Sequence, residues 1–518
     1  MTTSPPLPGT AAADTILLPR DTNQARGLGC YARDFLGPTG RPVSTATLAL
    51  LERFHLDSVG CGVSALALAA NAPTVLRREA LAAPPAAGSR GGQVFGSRQA
   101  CAIERAVAAN ASAVREWDSN GTNFGHDPVR GRTAGEFGHN DFYPVAVAAA
   151  REAGLDGHAC LRVMLLIDEI RGRLAEVFAL RRYAIDHVHH GAVASAAAYA
   201  AALGGSVDQI ESAIGMVVAH YVPYRAIRAG HQLSDSKGAS AALAAEAAVL
   251  AARRALAGFL GPRDVFRNPL AIYRRNEPSA DGTSPFDLEL GAGGDAFAIH
   301  SMHFKLGLYE HQSAGALQAV VDLCRRHPDL CRDPAALRAI RVRIYEPAYS
   351  IIADPAKRTP TTRQSADHSL PFILARTLQK AAAADRPDWD SLMLLPDDYA
   401  DERLADRAIH SLIERIVIEH GGAAYDALYP DGIPTSVVIE HATLGSCDSG
   451  IVRHPLGHAR SDPARTAAVV DLKFDRLVAG AGLDPAALRG RMRLAGRSAA
   501  DVADLYAFEI PCLSNPSA

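Results

Sequence analysis

The sequence of 518 residues carries no closely spaced cysteine pair and no marked excess of charge. Nor does it hold an uninterrupted apolar run long enough to cross a bilayer. Its eight cysteines are scattered from Cys30 to Cys512 without a C-x-x-C motif. A disulfide framework or an iron–sulfur cluster needs clustered spacings, so these read as reduced thiols, mostly small core residues. A net charge of −3 gives no electrostatic case for nucleic acid or an anionic membrane, so any cationic site must be local. The Ala-rich run 191–205 is too short to span, and 239–260 is interrupted by Glu246, Arg253 and Arg254. The N-terminus lacks a charged segment followed by an apolar one and does not read as a signal peptide. The expectation is a cytoplasmic protein in which residues 1–25 form a disordered tail.

What is present is a core. Hydrophobic residues make up 48% and charged residues 21%, as in an ordinary soluble globular chain, and the length suits about three domains or two large ones. Apolar residues recur at helical spacing over Val43–Ala70, Ser97–Arg115, Tyr143–Ala153 and Leu161–Leu180. Gly191–Leu203 is nearly all Ala, Val and Ser, small residues that let helices approach closely, which predicts a central helix. Ser206 caps the next helix, with Asp208 in its first turn, and Gly238–Phe259 is again Ala-rich. No strand is expected before residue 260. Further on, Leu337–Tyr345 and Thr435–Ala442 alternate as half-buried strands, with helical patterns at His368–Ala382 and Asp401–Ile418 between them. The C-terminal part returns to helix over Asp462–Gly480, Asp484–Arg493 and Ala499–Tyr506. The fold class expected is mainly α with a smaller α+β domain.

One stretch builds no core. Trp117–Tyr143, WDSNGTNFGHDPVRGRTAGEFGHNDFY, is polar and Gly-rich and lies between two apolar helices, where such a loop is functional or disordered. It supplies Asp118, Asn120, Thr122 and His139. Three more polar groups stand out: Asp186-His187-Val188-His189-His190, Tyr224-Arg225 through His231 to Lys237, and His300, His303, Lys305 and His311. Imidazole and ammonium groups converging from several segments suit an anionic substrate, and histidine is the usual base near neutral pH. Each group also has a plainer reading. Asp118 and Thr122 could be helix caps, His189 and His190 a solvated helix entry, and Lys237 a surface lysine at a helix start. DHVHH could bind a metal, but no carboxylate pattern completes a zinc or iron ligand set. Gly291–Asp295 is rejected as a nucleotide loop because no strand is expected before it.

The segments AVREWDSNGT (113–122), GHND (138–141), DHV…VASAAA (186–198), YPDGIPTSVVIE (429–440) and HPLGHARSDP (454–463), with the Lys237 region, decide between these readings. Through them the chain resembles the MmgE/PrpD family, whose members include 2-methylcitrate dehydratase, cis-aconitate decarboxylase and iminodisuccinate epimerase. The resemblance runs from about residue 43 to the C-terminus. It implies a helical domain built from 26–302 and 455–518, an inserted α+β lid over 303–454, a homodimer, and no metal or organic cofactor. It implies that Asp118, His139, His187, Lys237 and Tyr349 are catalytic, and that Asn120, Thr122, Lys305 and His311 bind substrate. Departures are Gly121 where the family commonly has a second acid, Asn140 where it has proline, and the insertion 123–137 at the expected pocket.

The implied reaction is dehydration of a hydroxylated tricarboxylate such as 2-methylcitrate. Lys237, Lys305 and His187 would hold developing negative charge, and His139 or His187 would act as base. The other histidine, or Tyr349, would protonate the departing hydroxyl, with Asp118 orienting an imidazole. The same groups could serve a decarboxylase or an epimerase. A member without activity, kept as a binding protein, is the alternative from another class.

Overall fold

The computed structural model describes residues 14–133, 138, 140–228 and 233–513. The described residues open with strand β1 (Thr15–Leu18) and helix α1 (Gln24–Leu36), followed by α2 (Thr45–Ala67), α3 (Asn71–Ala82) and α4 (Ile103–Arg115). After the polar stretch come α5 (Tyr143–Ala153), α6 (Gly157–Val177), α7 (Val188–Ala202), α8 (Val207–His220), the single turn α9 (Asp235–Gly238) and α10 (Ser240–Leu256). The Ala-rich α7 is buried from Val188 to Ala201 and packs against α6, α8 and α10. Close packing there depends on missing side chains: a Cβ on Gly191 would lie 2.3 Å from the ring of Phe142. Ser206 forms a capping box with Gln209 at the start of α8, satisfying two backbone N–H groups at once.

Strand β1 pairs antiparallel with β2 (Leu288–Gly291), so the part of the expected tail from Thr15 onward is folded. The absence of strands before residue 260 is corrected at the same place. Thr-Ile-Leu-Leu is too short to show a period, and its partner lies some 270 residues away. Strand β2 also corrects the reason for rejecting Gly291–Asp295 as a nucleotide loop. The strand is there, but a short 3-10 turn at Ala298–Ser301 follows instead of an α-helix N-terminus.

The α+β part contains α11 (Ala314–Arg326), β3 (Leu337–Ile344), α12 (Leu370–Ala383), α13 (Arg407–Arg415), β4 (Ile416–His420), β5 (Thr435–His441) and β6 (Gly445–Asp448). The sheet runs β6-β5-β3-β4, antiparallel except for the β3–β4 pair. In β3, Leu337, Ile340, Val342 and Ile344 are buried while Arg338, Arg341 and Arg343 face out. Helix was expected through Ile418, but it stops at Arg415. Ile416, Val417 and Ile418 are β-branched and gain hydrogen bonds by lying beside β3. Finally, α14 (Pro463–Gly480) returns to pack on α2, so helices from both ends of the chain meet. Among the described residues no single helix is long and apolar enough to cross a membrane.

Candidate active site

Helix α4 ends on Arg115, and the chain then turns sharply through Trp117–Thr122. Asp118 sits at φ +48°, a left-handed conformation that costs a non-glycine residue on the order of 1 kcal/mol or more. The turn carries its carboxylate into a ring of three cations and one imidazole. Oδ1 lies 2.8 Å from Arg115 Nη1 and 3.1 Å from Lys305 Nζ, while Oδ2 lies 3.3 Å from His368 Nε2 and 3.7 Å from Lys237 Nζ. Burial alone would raise the Asp118 carboxyl, but Arg115, Lys237, Lys305 and His368 together outweigh it. The group is held well below the ordinary carboxylate range, and Asp118 is fixed as an anion.

Each member of the ring is braced from behind. Lys305 also donates to the Asp118 carbonyl at 2.6 Å, and its backbone follows His303, which exchanges two backbone hydrogen bonds with Thr122. Lys237, on α9, is buried and lies 3.8 Å from Asp367 Oδ1 and 3.5 Å from His368 Nδ1. His368 Nδ1 is 2.5 Å from Asp367 Oδ1, and Asp367 accepts from Arg363 at 2.9 Å. Burial and Lys237 lower the His368 imidazole to about 4, which leaves it neutral at neutral pH. Burial also lowers the Lys305 ammonium, a shift that Asp118 opposes.

The loop itself hangs on two buried tethers. The Asn140 side chain accepts from the Gly121 N–H at 2.8 Å and donates to Phe54 O and Ser58 Oγ of α2 at 2.9 and 2.8 Å. Lys473 reaches in from α14, pairs with Asp57 at 2.6 Å and donates to the carbonyls of Ser119 and Lys305 at 2.8 and 2.7 Å.

These groups form the floor of a cavity of about 360 Å³, at the small end for a ligand pocket. Among the described residues, six cationic side chains and three carboxylates line it, so it favours an anion. Its floor is buried, whereas the rim residues Arg181, Arg225, Asp354 and Lys357 are partly exposed. No cluster of His, Cys, Asp and Glu among the described residues is arranged to hold a metal ion.

The family profile of the MmgE/PrpD N-terminal domain matches residues 40–280, and that of the C-terminal domain matches 309–489. The chain belongs to the MmgE/PrpD family. It is 26% identical over 419 residues to the 2-methylcitrate dehydratase of Salmonella typhi, covering 78% of this chain and 80% of that one. To the 2-methylcitrate dehydratase of Escherichia coli K12 it is 24% identical over 417 residues, with the same coverage.

Of the residues that the MmgE/PrpD resemblance singles out, the cavity brings together Asp118, Thr122, His187, Lys237, Lys305 and His311. His139 lies outside the described residues. Gly138 lines the cavity at φ +112°, where a Cβ would lie 2.0 Å from Arg171 Nη2 and 2.6 Å from His187 Nδ1. Only glycine fits there. The His187 Nδ1 atom is 3.4 Å from Arg171 Nη2. A guanidinium can only donate, so Nδ1 accepts in this contact and Nε2 is the ring nitrogen left to donate. His311 is buried, and burial with Lys305 and His458 lowers its imidazole well below the usual range.

Two residues sit elsewhere. Asn120 is buried beneath the loop, accepting from Arg115 at 3.2 Å and donating to Asn140 at 3.4 Å, and does not line the cavity. Tyr349 is 38% exposed beside the His420 ring, and its neighbours Ser350 and Ile351 line the cavity in its stead. Lys237 is no surface lysine, and His189 and His190 are no solvated helix entry, since all three are buried. His300 is held by Thr47 at 2.8 Å, away from the cavity. The described part of the insertion, 123–133, does not line the cavity either.

Sequence reasoning missed Arg115, Arg181, Glu310, Lys357 and His368 as cavity residues, and Lys473 as their support. His368 stands beside an acid just ahead of the helix starting at Leu370, and that Asp-His pair was its one available signal. For Lys473 the signal was its place in the apolar stripe Val469, Val470, Phe474 and Leu477.

Proposed function

We propose that this chain is a hydro-lyase that works without metal or organic cofactor and removes water from a hydroxylated tricarboxylate, 2-methylcitrate or a close analogue. The observation that carries the reading is the convergence of Arg115, Lys237 and Lys305 on the floor of a small cavity, around a carboxylate that stays charged. The dehydratases to which the chain is similar support the reaction class. A proton α to a carboxylate is weakly acidic, so the site must hold the charge that develops as it leaves. Lys237 and Lys305 supply fixed positive charge, and His187 donates a hydrogen bond from Nε2. With His187 committed as donor, the base is His139, the imidazole that the family motif supplies between Gly138 and Asn140. The rim cations Arg181, Arg225 and Lys357 bind a further carboxylate.

The purified protein is incubated separately with 2-methylcitrate, citrate, cis-aconitate and iminodisuccinate. Enoate absorbance from 2-methylcitrate without carbon dioxide release is the expected result. Carbon dioxide from cis-aconitate would replace it with a decarboxylase, and loss of optical activity alone from iminodisuccinate with an epimerase. Turnover of none of them would remove the proposal.

A further inference from the structure

We propose that Glu310 is the general acid that protonates the departing hydroxyl. The inference rests on the hydro-lyase reading above and fills the role which that reading leaves open. Water cannot leave as hydroxide from a cavity of this kind without a proton donor, and the groups first expected to donate are poorly placed. Tyr349 does not line the cavity, and His187 turns its Nδ1 to the Arg171 guanidinium. Among the described residues, the cavity holds three carboxyl groups, Asp118, Glu310 and Asp354. Asp118 is paired with Arg115 and Lys305 and stays ionised. Asp354 lies on the rim, and although Glu310 is partly exposed as well, Lys305 and Asp118 of the floor act directly on it.

Glu310 differs from both. Its backbone N–H donates to Asp367 O at 2.7 Å, which ties it to the His368 segment, and Oε2 accepts the Gln312 N–H at 2.8 Å. The carboxyl is thereby fixed at the cavity wall next to His311. The charged and titratable groups around it are Lys305, Lys357, Asp118, His311 and the buried Tyr345 phenol. Withdrawal from water raises the carboxyl, Lys305 opposes that, and Asp118 adds to it, leaving it at about 7. Two carboxyls in one cavity are thus driven apart, one locked as an anion and one able to carry a proton near neutrality.

The step balances. The base takes the carbon-bound proton, and the C–H electron pair becomes the new C=C bond. The C–O bond breaks, its electrons stay on oxygen, and the Glu310 proton completes the leaving water. The resulting carboxylate is reprotonated from solvent.

The test compares Glu310→Gln with the wild-type protein on 2-methylcitrate and on its analogue bearing fluorine in place of the hydroxyl. Fluoride departs without a proton, so the analogue does not need the acid. Expected for Glu310→Gln is a fall in kcat on 2-methylcitrate of about a hundredfold or more with little change in KM. The alkaline limb of the pH–rate profile, where the acid loses its proton above about 7, should vanish. Fluoride release should stay within about threefold of wild type, because proton donation contributes nothing there. Glu310→Asp should recover part of the lost rate. Full activity of Glu310→Gln, a retained alkaline limb, or equal losses on both substrates would overturn the assignment. A wild-type protein inactive on both substrates would overturn the hydro-lyase reading first, and this assignment with it.

Discussion

Residues 117–122 and 123–133 are neighbours of the same polar character, and they do opposite jobs. The first run is buried at Asp118, Ser119, Asn120 and Thr122 and turns its groups toward Arg115, Lys237, Lys305 and His368. The second folds into a ladder between His126–Asp127 and Arg132–Thr133 and spends its charges on the scaffold. Asp127 accepts from Arg173 of α6 at 3.0 Å and from Arg130 at 2.6 Å, and Arg130 also reaches Glu289 at 2.9 Å. The first run builds the cavity, and the second ties α6 to β2. What separates them is where their partners lie, and composition does not carry that information. The insertion, expected at the pocket, is a clasp over its described length.

Lys473 gives the sharpest way to break this contrast. It is fully buried, and its ammonium holds Asp57, the Ser119 carbonyl and the Lys305 carbonyl together. Lys473→Ala leaves the Asp57 carboxylate inside the protein without that ammonium, which should cost about 3–5 kcal/mol. The loss is read as a lower denaturant midpoint, and activity should fall further than folding as the Asp118 loop loosens. A Lys473→Met, Asp57→Leu pair should regain much of the stability without regaining activity. If the single variant unfolds no earlier than wild type, the loop is not held from α14.

Lys237→Ala comes next. Its ammonium faces Asp118, Asp367 and His368 on the cavity floor. Loss of a charge aimed at the transition state should lower kcat about a hundredfold, or about 2.7 kcal/mol, in a protein that still folds. Folded Lys237→Ala with unchanged kcat would take Lys237 out of the chemistry.

Much of the frame around these residues was legible because local pattern and tertiary role coincide. The Ala run of α7 could only be a crowded central helix, and the Leu337–Ile344 alternation could only be a half-buried strand. Legibility failed where a partner far along the chain decides. Thr15–Leu18 becomes a strand because of Leu288–Gly291, and Ile416–His420 because of Leu337–Ile344. His189 and His190 look polar in sequence, yet one bonds Tyr221 O at 2.9 Å and the other stacks on Tyr273, both inside the core. In the site, Asp118, Thr122, His187 and Lys237 carry motif context. Glu310 carries none and His368 only its Asp-His pair, because their meaning comes from Asp118, Lys237 and Lys305, which reach them only through the fold.

The rim and the clasp give the smaller effects. Arg225→Gln removes a rim charge without touching the floor, so KM for a tricarboxylate should rise about tenfold, or about 1.4 kcal/mol, with kcat nearly unchanged. A dicarboxylate lacking the third group should feel the change less, and equal effects on both would place Arg225 outside substrate binding.

Arg130→Ala should be smaller still, and it bears most directly on the insertion. The side chain is about one-fifth exposed and pairs with Asp127 and Glu289, so its removal should cost about 1 kcal/mol of stability. Asp127 keeps its buried partner Arg173, which limits the damage. KM and kcat should both stay within about twofold of wild type, because no described part of the clasp reaches the cavity. A changed substrate preference in Arg130→Ala would show that the clasp and the floor are coupled, and would restore to the insertion a part in choosing the substrate.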